Sequence, residues 1–161
     1  MTAGQKKVVT CPLLLAALLF GGCQSQAEIA ENELVILKRS DLCQVAEPTL
    51  RQLQSKEDIR RVIAPRAMLD NHQSIPYIDF STHAIMLLAM GQKPSSGYRI
   101  EIDRSRIKEN HGVLWLPAQF KSPKNDDMAA TMITSPCVIF SLKQNALQKV
   151  VAGDTGLVFQ F

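Results

Sequence analysis

A continuous apolar run from Ala84 to Met90 constrains the fold of this chain more than any other feature of its sequence. No polar side chain interrupts the run, so it lacks the alternation of a strand with one solvent-facing side. Unbroken apolar runs of this length are typical of strands that are buried on both faces. We therefore predict that this run is the central strand of a sheet.

Several other segments have the composition of β-strands, and turn signals separate them. Tyr98, Ile100 and Ile102 alternate with charged residues, as expected of a half-buried strand. Residues 110–112 (Asn-His-Gly) are a predicted hairpin tip. Pro136 lacks a backbone N–H and therefore predicts a sheet edge or a bulge. The predicted strands are 34–38, 84–90, 98–103, 113–120, 131–142, 150–151 and 157–161, with a turn region at 91–97.

A helix is predicted to begin at Ser55. Asp58 follows three residues later, which gives an acidic variant of the capping box, and Pro65 prevents the helix from continuing. The segment 50–53 either extends the apolar face of this helix upstream or leads into it. Three aliphatic residues share that face: Ile59, Val62 and Ile63.

Together these elements predict an α+β fold, with a mostly antiparallel β-sheet or a partly open barrel and one helix packed against it. The chain has 161 residues. Removal of the N-terminal signal described below leaves a length that favours one domain with its own core. We assign residues 33–161 to that domain.

The N-terminus has the three parts of a secretory signal. Lysines at 6–7 supply positive charge, residues 8–20 are apolar, and two glycines at 21–22 precede Cys23. The apolar part is too short to span a bilayer. A cysteine directly after small residues resembles the bacterial lipoprotein signal, in which residues 1–22 are removed and Cys23 is lipidated.

The lipoprotein resemblance has one departure, because Phe20 occupies the position where such signals usually carry leucine. A cleaved signal with a coincidental cysteine is the alternative. Two or more acyl chains anchor a protein stably, and residues 23–32 would then form a short polar tether. The residue after the cysteine is Gln24, and in this respect the chain resembles the lipoproteins that Gram-negative bacteria sort to the outer membrane. We therefore expect a lipid-anchored protein outside the cytosol, at the outer membrane of a Gram-negative bacterium.

The mature chain is close to neutral. The full sequence has a net charge of +3, and the signal removes two lysines and no acidic residue, which leaves +1. No dense basic cluster with interleaved aromatic residues occurs, so the sequence indicates no nucleic-acid partner.

The four cysteines have different expected fates. Cys11 is lost with the signal and Cys23 is the lipid site. Cys43 and Cys137 remain, in a compartment that permits disulfides. We predict that these two form a disulfide; the alternative is a pair of separate buried thiols.

The sequence contains no recognisable catalytic or metal-binding motif. Its histidines, His72, His83 and His111, lack metal-ligand spacing, and neither Cys-x-x-Cys nor G-x-S-x-G occurs. No glycine-rich phosphate loop is present. We expect His83 to be structural and His111 to lie in the hairpin tip. The prediction is a protein that is not an enzyme and uses no metal or cofactor.

Residues 77–142 carry a family resemblance. The positions that carry it are Asp79, Phe80, Gly91, Pro94, Gly97, Tyr98, Ile100 and Pro136. This pattern resembles the C-terminal domain of the protease-complex subunit PrcB, whose namesake is an accessory lipoprotein that stabilises a surface protease. The resemblance implies an accessory protein that binds, and could stabilise, an envelope or surface protease. The family often has a second glycine where this chain has Ser96, and a serine there would be strained if the position needs a positive φ.

The loop 94–98 (Pro-Ser-Ser-Gly-Tyr) is also similar to a loop of chagasin-type cysteine-protease inhibitors, which insert it into a protease cleft. Protease inhibition is therefore an alternative function, and a small-ligand-binding or structural envelope lipoprotein is another. Packing roles compete with binding roles at these positions, since a tight turn can bury its tyrosine and a strand can bury its tryptophan. The candidate partner-binding residues are Pro94, Ser95, Ser96, Gly97, Tyr98 and Trp115.

Overall fold

The computed structural model describes residues 34–63, 77–124, 128–144 and 146–161. Within these ranges the chain forms ten strands and one α-helix, which confirms the predicted α+β class. Arg104–Arg106 and Gly153–Thr155 are single 3₁₀ turns. The strands are β1 Leu34–Ser40, β2 Pro48–Leu53, β3 His83–Met90, β4 Arg99–Ile102, β5 Lys108–Asn110, β6 Val113–Leu116, β7 Ala118–Lys121, β8 Cys137–Lys143, β9 Lys149–Ala152 and β10 Leu157–Gln160, and the helix is α1 Lys56–Val62.

The main sheet has the strand order β1-β8-β3-β2, and all its neighbours are antiparallel. Strand β3 lies inside this sheet, and every one of its residues after His83 is buried. The prediction of a central strand buried on both faces is therefore confirmed. A bulge between Ile36 and Lys38 shifts the register of the outer strand β1.

A second sheet has the order β10-β9-β6-β5, and β4 pairs with β7 in a separate ladder. The pairs in these sheets are antiparallel except for β6 and β9, which run parallel. The described strands thus form mostly antiparallel open sheets rather than a closed barrel.

Two apolar cores cover the two faces of the main sheet. Met86 and Leu88 of β3 face the second sheet, whose Leu114 and Val150 belong to the same cluster. Alternate residues of β3, such as Ile85, join the cluster on the opposite face, where α1 contributes its own buried side chains. The layers therefore run from α1 through the main sheet to the second sheet, and this arrangement explains the unbroken apolar sequence of β3.

The predicted helix start is confirmed. The Ser55 hydroxyl accepts a hydrogen bond from the backbone N–H of Asp58 at 3.1 Å, and the Asp58 carboxylate accepts one from the N–H of Gln54 at 3.1 Å. The helix ends at Val62, and Pro65 lies outside the described residues. The segment 50–53 is part of strand β2, so it leads into the helix and does not extend it.

Two strand predictions need correction. The predicted strand 113–120 is two strands in different sheets, because Pro117 cannot donate to a ladder and the chain changes partners there. The predicted strand 131–142 begins only at Cys137. Pro136 does not mark a sheet edge, since β8 has neighbours on both sides; the proline precedes the strand, and its carbonyl accepts the N–H of Met90 at 2.9 Å.

The predicted hairpin tip is confirmed between β5 and β6. His111 and Gly112 both have positive φ, 48° and 76°, as a two-residue turn between antiparallel strands requires. His111 is exposed there. The predicted signal, tether and lipid site at Cys23 lie outside the described residues, among which no helix is long and apolar enough to cross a membrane.

Candidate functional site

The predicted contact loop connects β3 to β4. Pro94 and Gly97 are exposed, whereas Ser95, Ser96 and Tyr98 are half-buried. The Tyr98 ring packs against the core between the sheets, and Lys93 Nζ lies 5.8 Å from the centre of that ring. Tyr98 therefore anchors the loop, and the exposed part of the loop is its Pro94 to Gly97 portion.

A second loop, residues 128–134, runs alongside the first. Lys93 and Thr134 exchange two backbone hydrogen bonds of 2.8 and 3.0 Å, and the Thr134 hydroxyl donates to the Ser95 carbonyl at 2.8 Å. Ser96 and Ala130 form two further hydrogen bonds between the loops. We call residues 93–98 and 128–134 together the two-loop surface.

The second loop carries exposed apolar side chains. Met128 is fully exposed, Ile133 is 69% exposed and Met132 is 46% exposed. Sequence reasoning missed Met132 and Ile133 because it assigned residues 131–142 to a strand, and it gave Met128 no role. One feature of the sequence could have identified them. Ser135 and Pro136 are typical of loops, so they indicate that the apolar residues before them precede the strand and do not belong to it.

The base of the second loop is held firmly. The Ser135 carbonyl accepts the N–H of Cys43 at 3.0 Å, and the Ser135 hydroxyl donates to the Val45 carbonyl at 2.7 Å. Two residues further on, Cys137 forms a disulfide with Cys43, and their Cα atoms lie 6.1 Å apart. This is the disulfide predicted from the sequence, and both cysteines are buried.

The first loop depends on a glycine at its start. Gly91 has φ +72°, and a Cβ there would lie 2.7 Å from the carbonyl oxygen of Ala46 and 2.9 Å from the backbone nitrogen of Pro48. Only glycine fits this close approach of two backbones without displacement. Ser96, by contrast, does not have a positive φ, so the strain considered for serine at that position does not arise.

The two-loop surface lies at the end of the main sheet that is opposite to the start of β1. Leu34 pairs with Leu142, and Leu142 with Ala84, at one end of the sheet. Ala89 pairs with Cys137 at the other end, where both loops attach. The length of β3 separates these ends by about 20 Å.

The chemistry of the two-loop surface suits binding better than proton transfer. It presents thioether and aliphatic side chains, backbone amides and a lysine, and Met128 to Ile133 contains no titratable group. In the ranges that the structure describes, no group of three His, Cys, Asp or Glu side chains could hold a metal ion.

A carboxylate-centred turn precedes β3. Asp79 accepts hydrogen bonds from the hydroxyl of Ser81 at 2.6 Å, from its N–H at 2.9 Å, and from the hydroxyl of Thr82 at 3.0 Å. These bonds, the Ser81 hydroxyl first, lower the pKa of Asp79 below its usual range. The Thr82 hydroxyl also lies 2.8 Å from Nδ1 of His83, which starts β3 and is half-buried, so the group forms a structural turn.

Trp115 lies far from the predicted loop. The loop leads into β4, whose first residue, Arg99, pairs with Lys121, the last residue of β7. Trp115 lies in β6, which ends just before the first residue of β7. The Trp115 side chain is 45% exposed on the outward face of the second sheet. The structure thus brings Pro94 to Gly97 together with the second loop and leaves Trp115 on a different face.

One known protein family matches the segment that contains these two loops. Residues 85–143 match the family model described as PrcB C-terminal. The match bears out the resemblance to the PrcB C-terminal domain that the pattern in residues 77–142 predicted. The PrcB C-terminal segment runs from β3 to the end of β8, so it includes the whole two-loop surface and Cys137. No curated protein and no solved structure matches the chain.

Proposed function

We propose that this chain is a non-enzymatic accessory subunit, lipid-anchored through Cys23 at the outer membrane, that binds an envelope protease through the two-loop surface and stabilises it. The observation that carries the proposal is the exposed apolar group Met128, Met132 and Ile133, which lies within the PrcB C-terminal segment. The family name indicates a subunit of a protease complex, and the loops supply the surface for such a contact.

The surface has the physical properties of a protein-binding site. Large exposed apolar patches mark interaction sites on soluble proteins, and three exposed apolar side chains lie within residues 128–134. Methionine adapts its unbranched side chain to different partner shapes. The hydrogen bonds between residues 93–96 and 130–134 fix the loop backbones in advance, which lowers the entropy lost when a partner binds.

The position of the surface also suits an anchored subunit. The tether would enter at Leu34, whereas the two loops lie at the opposite end of the main sheet. A domain that is held by its first strand would therefore present the loops away from the attachment point.

The inhibitor alternative requires the 94–98 loop to enter a narrow cleft by itself. Ser95 and Ser96 are hydrogen-bonded along the neighbouring loop, and Tyr98 packs inward. This arrangement favours a broad contact by two loops over insertion of a single loop.

A crosslinking pull-down tests the proposal. The mature chain with Cys23→Ser is incubated with envelope extract, crosslinked and recovered, and the activity of any captured protease is followed over time. We expect a protease to be recovered and its activity to decay more slowly in the presence of the chain. Dose-dependent loss of protease activity would instead establish inhibition, and recovery of no protease would reject both roles.

Two variants locate the contact. Met132→Asp combined with Ile133→Asp places charges in the two-loop surface and should reduce recovery at least tenfold. Val35→Asp is the matched control, because Val35 is a similarly exposed apolar residue, at 48%, on the edge strand β1. Equal recovery with the double variant would show that the protease binds elsewhere.

A further inference from the structure

The outward face of the second sheet consists of two complete cross-strand rows. Because paired residues in a sheet point to the same side, the register places each row on one face. The outward direction follows from the intervening row, whose Leu114, Val150 and Phe159 point into the core. The rows are Lys108–Trp115–Val151–Val158 and Asn110–Val113–Lys149–Gln160, and we call these eight residues the outer face.

The outer face combines apolar and cationic groups and lacks acidic ones. Trp115 is 45% exposed and Val158 is 48% exposed, with the half-buried Val151 between them. Lys108 lies beside the indole, and neither Lys108 nor Lys149 forms an ion pair with any carboxylate in the described ranges. The acidic residue of these strands, Glu109, pairs with Leu114 and so lies on the inward side.

This composition matches an anionic lipid surface. Tryptophan prefers the interface between water and acyl chains, where its ring is half apolar and half polar. Lysines near such a surface are attracted by acidic headgroups. The absence of carboxylates from both rows removes the repulsion that would oppose the approach. We propose that the outer face docks onto a membrane containing anionic phospholipid.

The proposed tether favours a membrane over an acidic protein as the occupant. Ten residues separate Cys23 from Leu34, so the first strand cannot lie more than about 35–40 Å from a lipidated Cys23. Leu34 lies in the core between the two sheets, within about 10 Å of the second sheet. The anchor therefore keeps the outer face within reach of the bilayer at all times, and docking would orient the two-loop surface along the membrane.

Intrinsic fluorescence tests this proposal directly, because Trp115 is the one tryptophan of the chain. The probe is the mature chain from residue 23 onward with Cys23→Ser, which contains every described element and has no acyl chain. Vesicles of phosphatidylcholine, with or without one quarter phosphatidylglycerol, are added. We expect a blue shift of the emission with the anionic vesicles and quenching by brominated acyl chains. Both effects should weaken at high salt.

Charge variants complete the test. Lys108→Gln with Lys149→Gln should lower partitioning into anionic vesicles about thirtyfold. Arg60→Gln with Arg61→Gln removes the same charge from α1, on the other side of the main sheet, and should change partitioning less than twofold.

An unchanged emission in the presence of anionic vesicles would overturn the proposal and leave an acidic protein as the occupant of the outer face. Equal losses in the two double variants would also overturn it, since the attraction would then be nonspecific. The assay contains no protease, so its result is independent of protease binding by the two-loop surface.

Discussion

Ser96 and Ala130 hydrogen-bond each other twice, since the Ala130 N–H donates to the Ser96 hydroxyl at 2.8 Å and the Ser96 N–H donates to the Ala130 carbonyl at 3.0 Å. The first of these bonds needs a side-chain oxygen, which a glycine at position 96 could not supply. Ser96 therefore adds a side-chain link between the two loops.

Replacement of Ser96 should loosen the second loop (residues 128–134) without unfolding the domain. Ser96→Ala removes the acceptor of the Ala130 N–H, and a hydrogen bond of this kind contributes about 1 kcal/mol. We expect the amide of Ala130 to exchange with solvent about fivefold faster, as measured by hydrogen–deuterium exchange. Ser95→Ala is the control, because Ser95 contributes its backbone carbonyl to Thr134 and not its side chain. Unchanged exchange at Ala130 in the Ser96 variant would contradict this account of the surface.

A methyl group at Gly91 should destabilise the protein more than one at Gly156. Both glycines have φ +72°, so alanine is strained at either position, by about 1–2 kcal/mol. At Gly91 the new Cβ would also collide with the backbone near Ala46, whereas at Gly156 nothing lies within 4 Å. Urea unfolding should therefore give a loss in the free energy of unfolding that is larger for Gly91→Ala by about 1 kcal/mol or more. Equal losses would mean that the 46–48 backbone moves aside at little cost.

Local patterns predicted those parts of the fold that local physics controls. The unbroken apolar run identified β3, the Ser55 cap identified the start of α1, and residues 111–112 identified a hairpin. Strand β2 escaped prediction because Leu50 and Leu53 are three residues apart, a spacing typical of a helix. In the structure these leucines point to opposite faces of β2, and both are buried because the main sheet is covered on both sides.

Only one of the two loops of the candidate site could be predicted, because long-range contacts place the other loop beside it. The 94–98 loop has turn residues that are visible in the sequence, but its partner loop lies more than thirty residues away and joins it through bonds such as Ser96 to Ala130. No local pattern specifies that pairing. The parallel pairing of β6 with β9 is likewise a long-range feature, as is the row that aligns Trp115 with Val151.

The stability of the domain should fall in acid partly through Asp79. Hydrogen bonds from the Ser81 hydroxyl, the Ser81 N–H and Thr82 lower the pKa of Asp79 in the folded state, although burial opposes the shift. A carboxylate with a lowered pKa contributes stability that is fully present above its unfolded pKa of about 4. That contribution is lost as the pH falls through the lower folded pKa, because the unfolded chain binds the proton first.

Ser81→Ala should therefore raise the pKa of Asp79 toward its ordinary value, as followed by NMR titration of the carboxyl carbon. Ser105→Ala is a matched control, because the Ser105 hydroxyl donates to Asp103 at 2.6 Å in the same geometry and lowers the pKa of that carboxyl instead. Each serine substitution should shift only its own aspartate. A titration of Asp79 that is insensitive to Ser81→Ala would show that another group sets its pKa.

Loss of the Cys43–Cys137 disulfide should be the most damaging of these changes. The bond joins residues 94 apart in sequence and lies at the base of the second loop. In the chain-entropy model, opening a loop of this length lowers the free energy of unfolding by about 4–5 kcal/mol. Cys43→Ala with Cys137→Ala should therefore shift urea unfolding to much lower concentrations, and a reductant should shift the wild type similarly while leaving the double variant unchanged. Mass spectrometry of the non-reduced protein provides the direct check, since alkylation of both cysteines without reduction would rule the bond out.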